Sequence, residues 1–178
     1  MGNKRHLSFL AKISSMVLVS LFIALYVVLS FFRIYITNEL RISLTFIPIA
    51  WASILFGPSA GALTGAFGDI LGWAVNPVGP YFPGFTISGF VTGIIYGLFL
   101  YKKETNLTRI IAASVLMVLI VEVGLNSVWM SILAGSAYKV LIPVRLVKAL
   151  VATPIQVLVL HSTAYLVKKY APAGIHKA

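Results

Sequence analysis

Long apolar stretches with almost no charge dominate the chain. Residues 13–32 lie between Lys12 and Arg33 without a charge. Residues 42–68 and 70–101 are separated only by Asp69, and residues 110–121 and 123–138 only by Glu122. Residues 149–167 complete the set. A spanning helix needs about 20 apolar residues, and the longer runs are cut by turn signals. Gly57-Pro58 divides one; Asn76-Pro77-Val78-Gly79-Pro80 opens a loop in the next; a polar stretch from Lys102 to Thr108 follows. The pattern predicts six helices, at about 8–33, 43–57, 59–74, 83–101, 108–135 and 144–169. The second and third are short for a hydrocarbon core of about 30 Å and fit either short spans or a re-entrant hairpin. Both options leave the number of crossings even. The first helix is longer than a secretory h-region and is followed by no clear cleavage site, so it is read as a permanent span.

Composition supports this picture. Of 178 residues, 60% are apolar and only 10% charged, where soluble domains average about 45–50% and about 25%. Disorder is excluded by the hydrophobicity. A soluble enzyme is excluded because so small a domain could not keep that much apolar surface from water. The expected fold class is therefore an all-α integral membrane protein, a six-helix transmembrane bundle forming a single domain over residues 1–178. With no cysteine, there is neither a disulfide framework nor a thiolate metal site. The net charge of +10 fits basic residues flanking membrane spans better than nucleic acid binding. Lys4, Arg5, Lys12, Lys102, Lys103, Arg109, Lys168, Lys169 and Lys177 fall on one side, which places both termini in the cytoplasm of a cell membrane. Arg33, Arg41, Lys139, Arg145 and Lys148 lie near the opposite ends of helices, where orientation gives them no reason to be.

Catalytic and metal motifs are weak. Gly57-Pro58-Ser59-Ala60-Gly61 matches G-x-S-x-G, but a nucleophile elbow needs a preceding strand, and His6, His161 and His176 offer no partner. No nucleotide-binding Walker motif and no H-E-x-x-H sequence occur, so neither a catalytic residue, a metal nor a cofactor is expected. Glycines at 57, 61 and 65, at 68 and 72, and at 89, 93 and 97 recur in four-residue steps, which lets helix backbones approach closely.

Ionisable residues within a membrane are costly and usually line a cavity. Asp69 lies near the outer end of the third helix. Glu122, Asn126 and Trp129 share a face of the fifth. Arg145, Lys148, Ala152 and Gln156 share a face of the sixth. An antiparallel turn near residue 139 puts Lys148 level with about residue 131 and Glu122 deeper, beside Gln156. The loop from Asn76 to Thr86 crowds Tyr81, Phe82 and Phe85 among prolines and glycines, which suggests a shaped lid. Together these predict an outward-facing cavity with aromatic walls, cations and carboxylates. Such a cavity suits a flat heteroaromatic ligand with an anionic tail.

The stretches Arg41-Ile-Ser-Leu-Thr-Phe-Ile-Pro-Ile-Ala50, Phe56-Gly-Pro-Ser-Ala-Gly61 with Asp69, Gly79-Pro-Tyr-Phe-Pro-Gly-Phe-Thr-Ile-Ser88, Gly93-Ile-Ile-Tyr-Gly97 and Pro143-Val-Arg-Leu-Val-Lys148 resemble a known family. They are similar to the substrate-binding S components of energy-coupling factor vitamin transporters, and within these to the folate-specific branch. The resemblance implies a bundle that binds one vitamin from outside and works with a transmembrane coupling (T) protein and two ATPases. It implies no enzyme activity in this chain. Candidate ligand contacts are Arg41, Asp69, Tyr81, Phe82, Phe85, Asn126, Trp129, Arg145 and Lys148. Small residues on the family's first helix dock the partner, which maps onto Ser20 and Ala24, a departure from the family's usual alanine pair. Readings that stay open are the same scaffold for biotin, thiamine or a pterin-like compound, a small membrane enzyme using Ser59 or an Asp69–Glu122 pair, and a purely structural membrane protein.

Overall fold

A computed structural model describes residues 2–32, 34–35, 41–77, 79–104, 106–135 and 138–169, with side chains from residue 13 onward except 34–35, 41–42, 134, 138–141, 144 and 168–169. The described residues form six helices. Helix α1 covers Gly2–Phe31, α2 Phe46–Phe56, α3 Pro58–Val75 and α4 Pro83–Leu100. Helix α5 is α-helical over Leu107–Met117, a π-helix over Val118–Leu125, and α-helical again over Asn126–Ala134. Helix α6 covers Tyr138–Lys169, starting six residues before 144. Between α1 and α2 lies an antiparallel ribbon that the apolar pattern did not predict. Its strands are β1 (Ile34–Tyr35) and β2 (Arg41–Ile42), with Ile34 opposite Ile42 and Tyr35 opposite Arg41.

The helix ends follow from local chemistry. Gly57 closes α2 at φ 94°, a region open to glycine without a Cβ penalty. Pro58 then opens α3 at its first turn, and Pro83 does the same for α4, where the missing N–H would lack a helical partner anyway. Gly135, at φ 64°, ends α5 as a left-handed cap. Pro143 and Pro154 lie inside α6, which membrane helices tolerate because neighbours re-satisfy the freed backbone groups.

Helix α2 has 11 residues and reaches only about 16 Å. It is buried nearly all round, through Phe46, Pro48, Ile49, Ala50, Ala52, Ser53, Ile54 and Leu55, among α1, α3, α4 and α6. Helices α3 and α4 make the closest pair. A Cβ added at Gly65 would run into the Gly89 carbonyl, and one at Gly93 into the Gly61 backbone. The Ser53 hydroxyl donates to the Gly93 carbonyl at 2.9 Å, tying α2 to the same seam.

Large apolar side chains cover the outside. Met16, Val17, Leu21, Phe67, Val75, Leu98, Leu119, Val147, Leu150 and Leu158 are all exposed, Leu150 by 77%. A soluble protein would not present so continuous an apolar surface. Four helical stretches among the described residues are long and apolar enough to cross a bilayer: Ile13–Phe31, Pro83–Leu100, Leu107–Leu133 and Arg145–Val167. The protein is an integral membrane protein.

Candidate ligand cavity

A cavity of about 330 Å³ opens at the end of the bundle that carries the 76–82 loop. This is at the small end of the range for ligand pockets. Its walls come from every helix and from the residues leading into α2.

One wall is aromatic. Phe82 ends the loop, and Phe85 stands on the first turn of α4 with ring centroids 6.0 Å apart at 69°, an edge-to-face pair. Tyr81 packs on Trp73 with centroids 5.2 Å apart, and the Trp73 indole N–H donates to the Gly79 carbonyl at 3.0 Å. The Tyr81 hydroxyl lies 2.8 Å from the Thr86 hydroxyl, which in turn donates to Asp69 Oδ2 at 2.8 Å. This chain of bonds fastens the loop to both α3 and α4. Trp73 shares a face of α3 with Asp69 at four-residue spacing; that spacing was the sequence signal for it. Thr86 carried no signal, because its role depends on α3 and α4 lying side by side.

Another part of the lining, on α5 and α6, is polar and charged. Lys148 Nζ donates to Glu122 Oε2 at 2.8 Å, with side chains 14% and 30% exposed. Arg145, 8% exposed, donates through Nη1 to the backbone carbonyl of Glu122 at 2.9 Å. That carbonyl belongs to the π-helical stretch. Wide turns of this kind are rare and cluster at functional sites. Helix α5 ends at Ala134 and the next helix starts at Tyr138, so the midpoint between them falls near residue 136 rather than 139. Reflection about it brings Lys148 level with about residue 125, one turn from Glu122, so the pair can close. Gln156 lies deeper than Glu122, level with about Met117; both Gln156 and Met117 line the cavity.

Of the expected contacts, Asp69, Tyr81, Phe82, Phe85, Asn126, Arg145 and Lys148 all line the cavity. The side chain of Arg41 lies outside the described residues, as does Arg33. Trp129 does not line the cavity. It stands behind Phe82, centroids 5.8 Å apart, and its indole N–H donates to the Ser88 hydroxyl at 3.1 Å. The face of α5 that meets the cavity runs through Glu122, Asn126, Met130 and Leu133. A π-helical stretch is under-wound, so the face recurs later than a 3.6-residue period predicts, which turns Trp129 sideways onto α4. Ser20 and Ala24 are exposed on α1, away from the cavity, and the Ser20 hydroxyl donates to the Met16 carbonyl at 3.0 Å. Ser59 follows a helix and Gly57 rather than a strand, so the nucleophile-elbow geometry is absent. No group of three or more potential metal ligands occurs among the described residues.

Residues 14–163 match the family model for the substrate-specific component of ECF transporters. The chain is 38% identical over 150 residues to a folate transporter FolT of Clostridium novyi (strain NT), covering 84% of this chain and 87% of that protein. It is 32% identical over 147 residues to a folate transporter FolT of Leuconostoc mesenteroides, covering 79% of each. Among solved structures, a crystal structure of FolT bound with folic acid superposes with a TM-score of 0.79 at 37% identity, covering 89% of this chain and 95% of that one. The S component of a bacterial ECF transporter superposes with a TM-score of 0.63 at 21% identity, covering 88% of this chain and 99% of that one, a likeness of fold.

Proposed function

The chain belongs to the substrate-specific components of ECF transporters, and from that premise we propose that it captures folate from outside the cell. It is a transport subunit and not an enzyme. The observation that carries the ligand reading is a cavity lined by the Phe82 and Phe85 rings together with the Arg145, Lys148 and Glu122 groups. Folate is a flat heteroaromatic ring system with an anionic tail. Aromatic faces take the rings, and guanidinium and ammonium groups take carboxylates through charge-assisted bonds. The two relatives named folate transporters and the structure holding folic acid support the same ligand.

Delivery inward requires energy from elsewhere, since this chain has no Walker motif. In this reading the chain works with a transmembrane coupling protein and two ATPases, and Ser20 and Ala24 on the exposed face of α1 meet the coupling protein. The basic residues of both tails and of the 102–109 stretch put the termini in the cytoplasm, and the cavity mouth at the outer surface. Two cations in the cavity make a cationic vitamin such as thiamine a poor occupant.

Equilibrium binding to the purified chain in detergent is the direct test. Folic acid should bind saturably at one site and be displaced by neither thiamine nor biotin. Failure to bind folic acid, or displacement by either of the others, would remove the assignment.

A further inference from the structure

A second concentration of charge lies at the end of the bundle away from the cavity mouth, where α4 passes into α5. Among the described side chains, every charged residue outside the cavity falls in this one stretch: Lys102, Lys103, Glu104 and Arg109. All four are exposed, and three cations against one carboxylate leave a net charge of +2. Lysines at a membrane boundary usually extend their ammonium groups toward water. Here both lie back against α4. Lys103 Nζ donates to the Leu98 carbonyl at 2.7 Å, and Leu98 is one of the exposed apolar residues that face lipid. Lys102 Nζ stands over the Tyr101 ring, 5.4 Å from its centroid, a cation–π contact. The Lys102 backbone is left-handed at φ 52°, the one such non-glycine residue among the described residues.

Apolar surface begins where these charges end. Leu107, Ile111, Val115 and Leu119 recur in four-residue steps along α5 and are all exposed. They make a stripe of about 18 Å on one helix face. A soluble anion would use the cations and leave the stripe bare. A lipid uses both, with its headgroup on the cations and an acyl chain along the stripe.

We infer that the α4–α5 junction is a site for an anionic phospholipid, its phosphate held by Lys102, Lys103 and Arg109 and a chain lying along α5. Ammonium and guanidinium groups take phosphate oxygens through charge-assisted bonds. The site discriminates by charge, because a zwitterionic headgroup brings a cation of its own that the three basic side chains repel. Each Lys or Arg near an anionic bilayer surface adds about fivefold in affinity. Such a lipid ties the end opposite the cavity mouth to the leaflet richer in anionic lipid. This goes beyond ligand capture and is independent of which vitamin the cavity takes.

The test is native mass spectrometry of the full chain, delipidated in detergent and titrated with phosphatidylglycerol or with phosphatidylcholine of the same acyl chains. The unsubstituted chain should take up its first phosphatidylglycerol at a concentration lower by about ten- to thirtyfold, the product of about fivefold for each of two net charges. Lys102→Gln combined with Lys103→Gln should bring the two lipids to within about threefold. Arg109→Gln should cut the preference by about fivefold. It leaves the Lys103–Leu98 contact intact, so it decides the matter if the double variant does not fold. Lys168→Gln combined with Lys169→Gln removes the same charge at the end of α6 and should leave the preference within about twofold. Millimolar inorganic phosphate should not displace the lipid. Equal binding of the two lipids by the unsubstituted chain, or binding of neither, overturns the inference. So does a preference that survives in every junction variant recovered folded. An equal loss in the α6 pair overturns it too, because net charge alone would then attract the lipid. Displacement by inorganic phosphate overturns it as well, since the site would then belong to a soluble anion.

Discussion

Arg145 illustrates how much one buried cation does in this protein. It stands on the cavity wall and donates to a carbonyl in the π-helical stretch of α5, so it links the charged wall to the segment that displays Glu122 and Asn126. Arg145→Ala is expected to weaken folate binding by about 1.5–3 kcal/mol, as for loss of a charge-assisted bond. Calorimetric titration reads this directly, and unchanged affinity would confine Arg145 to the architecture of α5. At this scale the sequence was informative about residue type. A charge inside an apolar run is conspicuous because its transfer from water is so costly, and Asp69, Glu122, Arg145 and Lys148 stood out for that reason. Orientation was less legible. Trp129 was assigned to the cavity face by helical spacing, yet it packs against Phe82 and Ser88.

Among the elements, the α3–α4 pair is the most constrained. Its glycines meet backbone to backbone, and nothing larger than hydrogen fits between Gly93 and the Gly61 segment. Gly93→Leu should therefore prevent the two helices from docking and yield little folded protein. A matched substitution at lipid-exposed Leu98, such as Leu98→Val, should be tolerated. Size-exclusion profiles and melting curves in detergent distinguish the two, and a monodisperse Gly93→Leu protein with an unshifted melting temperature would contradict the packing argument. The four-residue glycine steps were visible in the sequence because helix geometry repeats one face at that interval. The π-helical stretch left no comparable sequence signal. Its turns depend on a hydrogen-bond pattern that the tertiary environment supports, here including the Arg145 guanidinium. Likewise, the ribbon between α1 and α2 carries no regular alternation over its two rungs.

For the whole molecule, the cavity and the exposed face of α1 are distinct regions, so ligand capture and coupling should be separable by mutation. Ser20→Leu is expected to leave folic acid binding within about twofold, since the residue touches no cavity group. In cells or proteoliposomes that contain the coupling protein and ATPases, it should reduce folate uptake severalfold. Full uptake by this variant would move the docking surface elsewhere on the bundle.

The membrane class, the number of helices and the charged residues of the cavity wall were legible in the amino-acid sequence alone. Those properties depend on transfer from water to hydrocarbon, which is additive along the chain, and on turn residues that act locally. Which side chains face one another was decided only by the tertiary structure. The Lys148–Glu122 contact depends on the register of α6 against α5, and the Asp69–Thr86–Tyr81 chain on α3 lying beside α4. The sideways turn of Trp129 follows from under-winding. Each is a relation between segments distant in sequence, and a displacement of one residue in register rotates a helical side chain by about 100°, away from its partner.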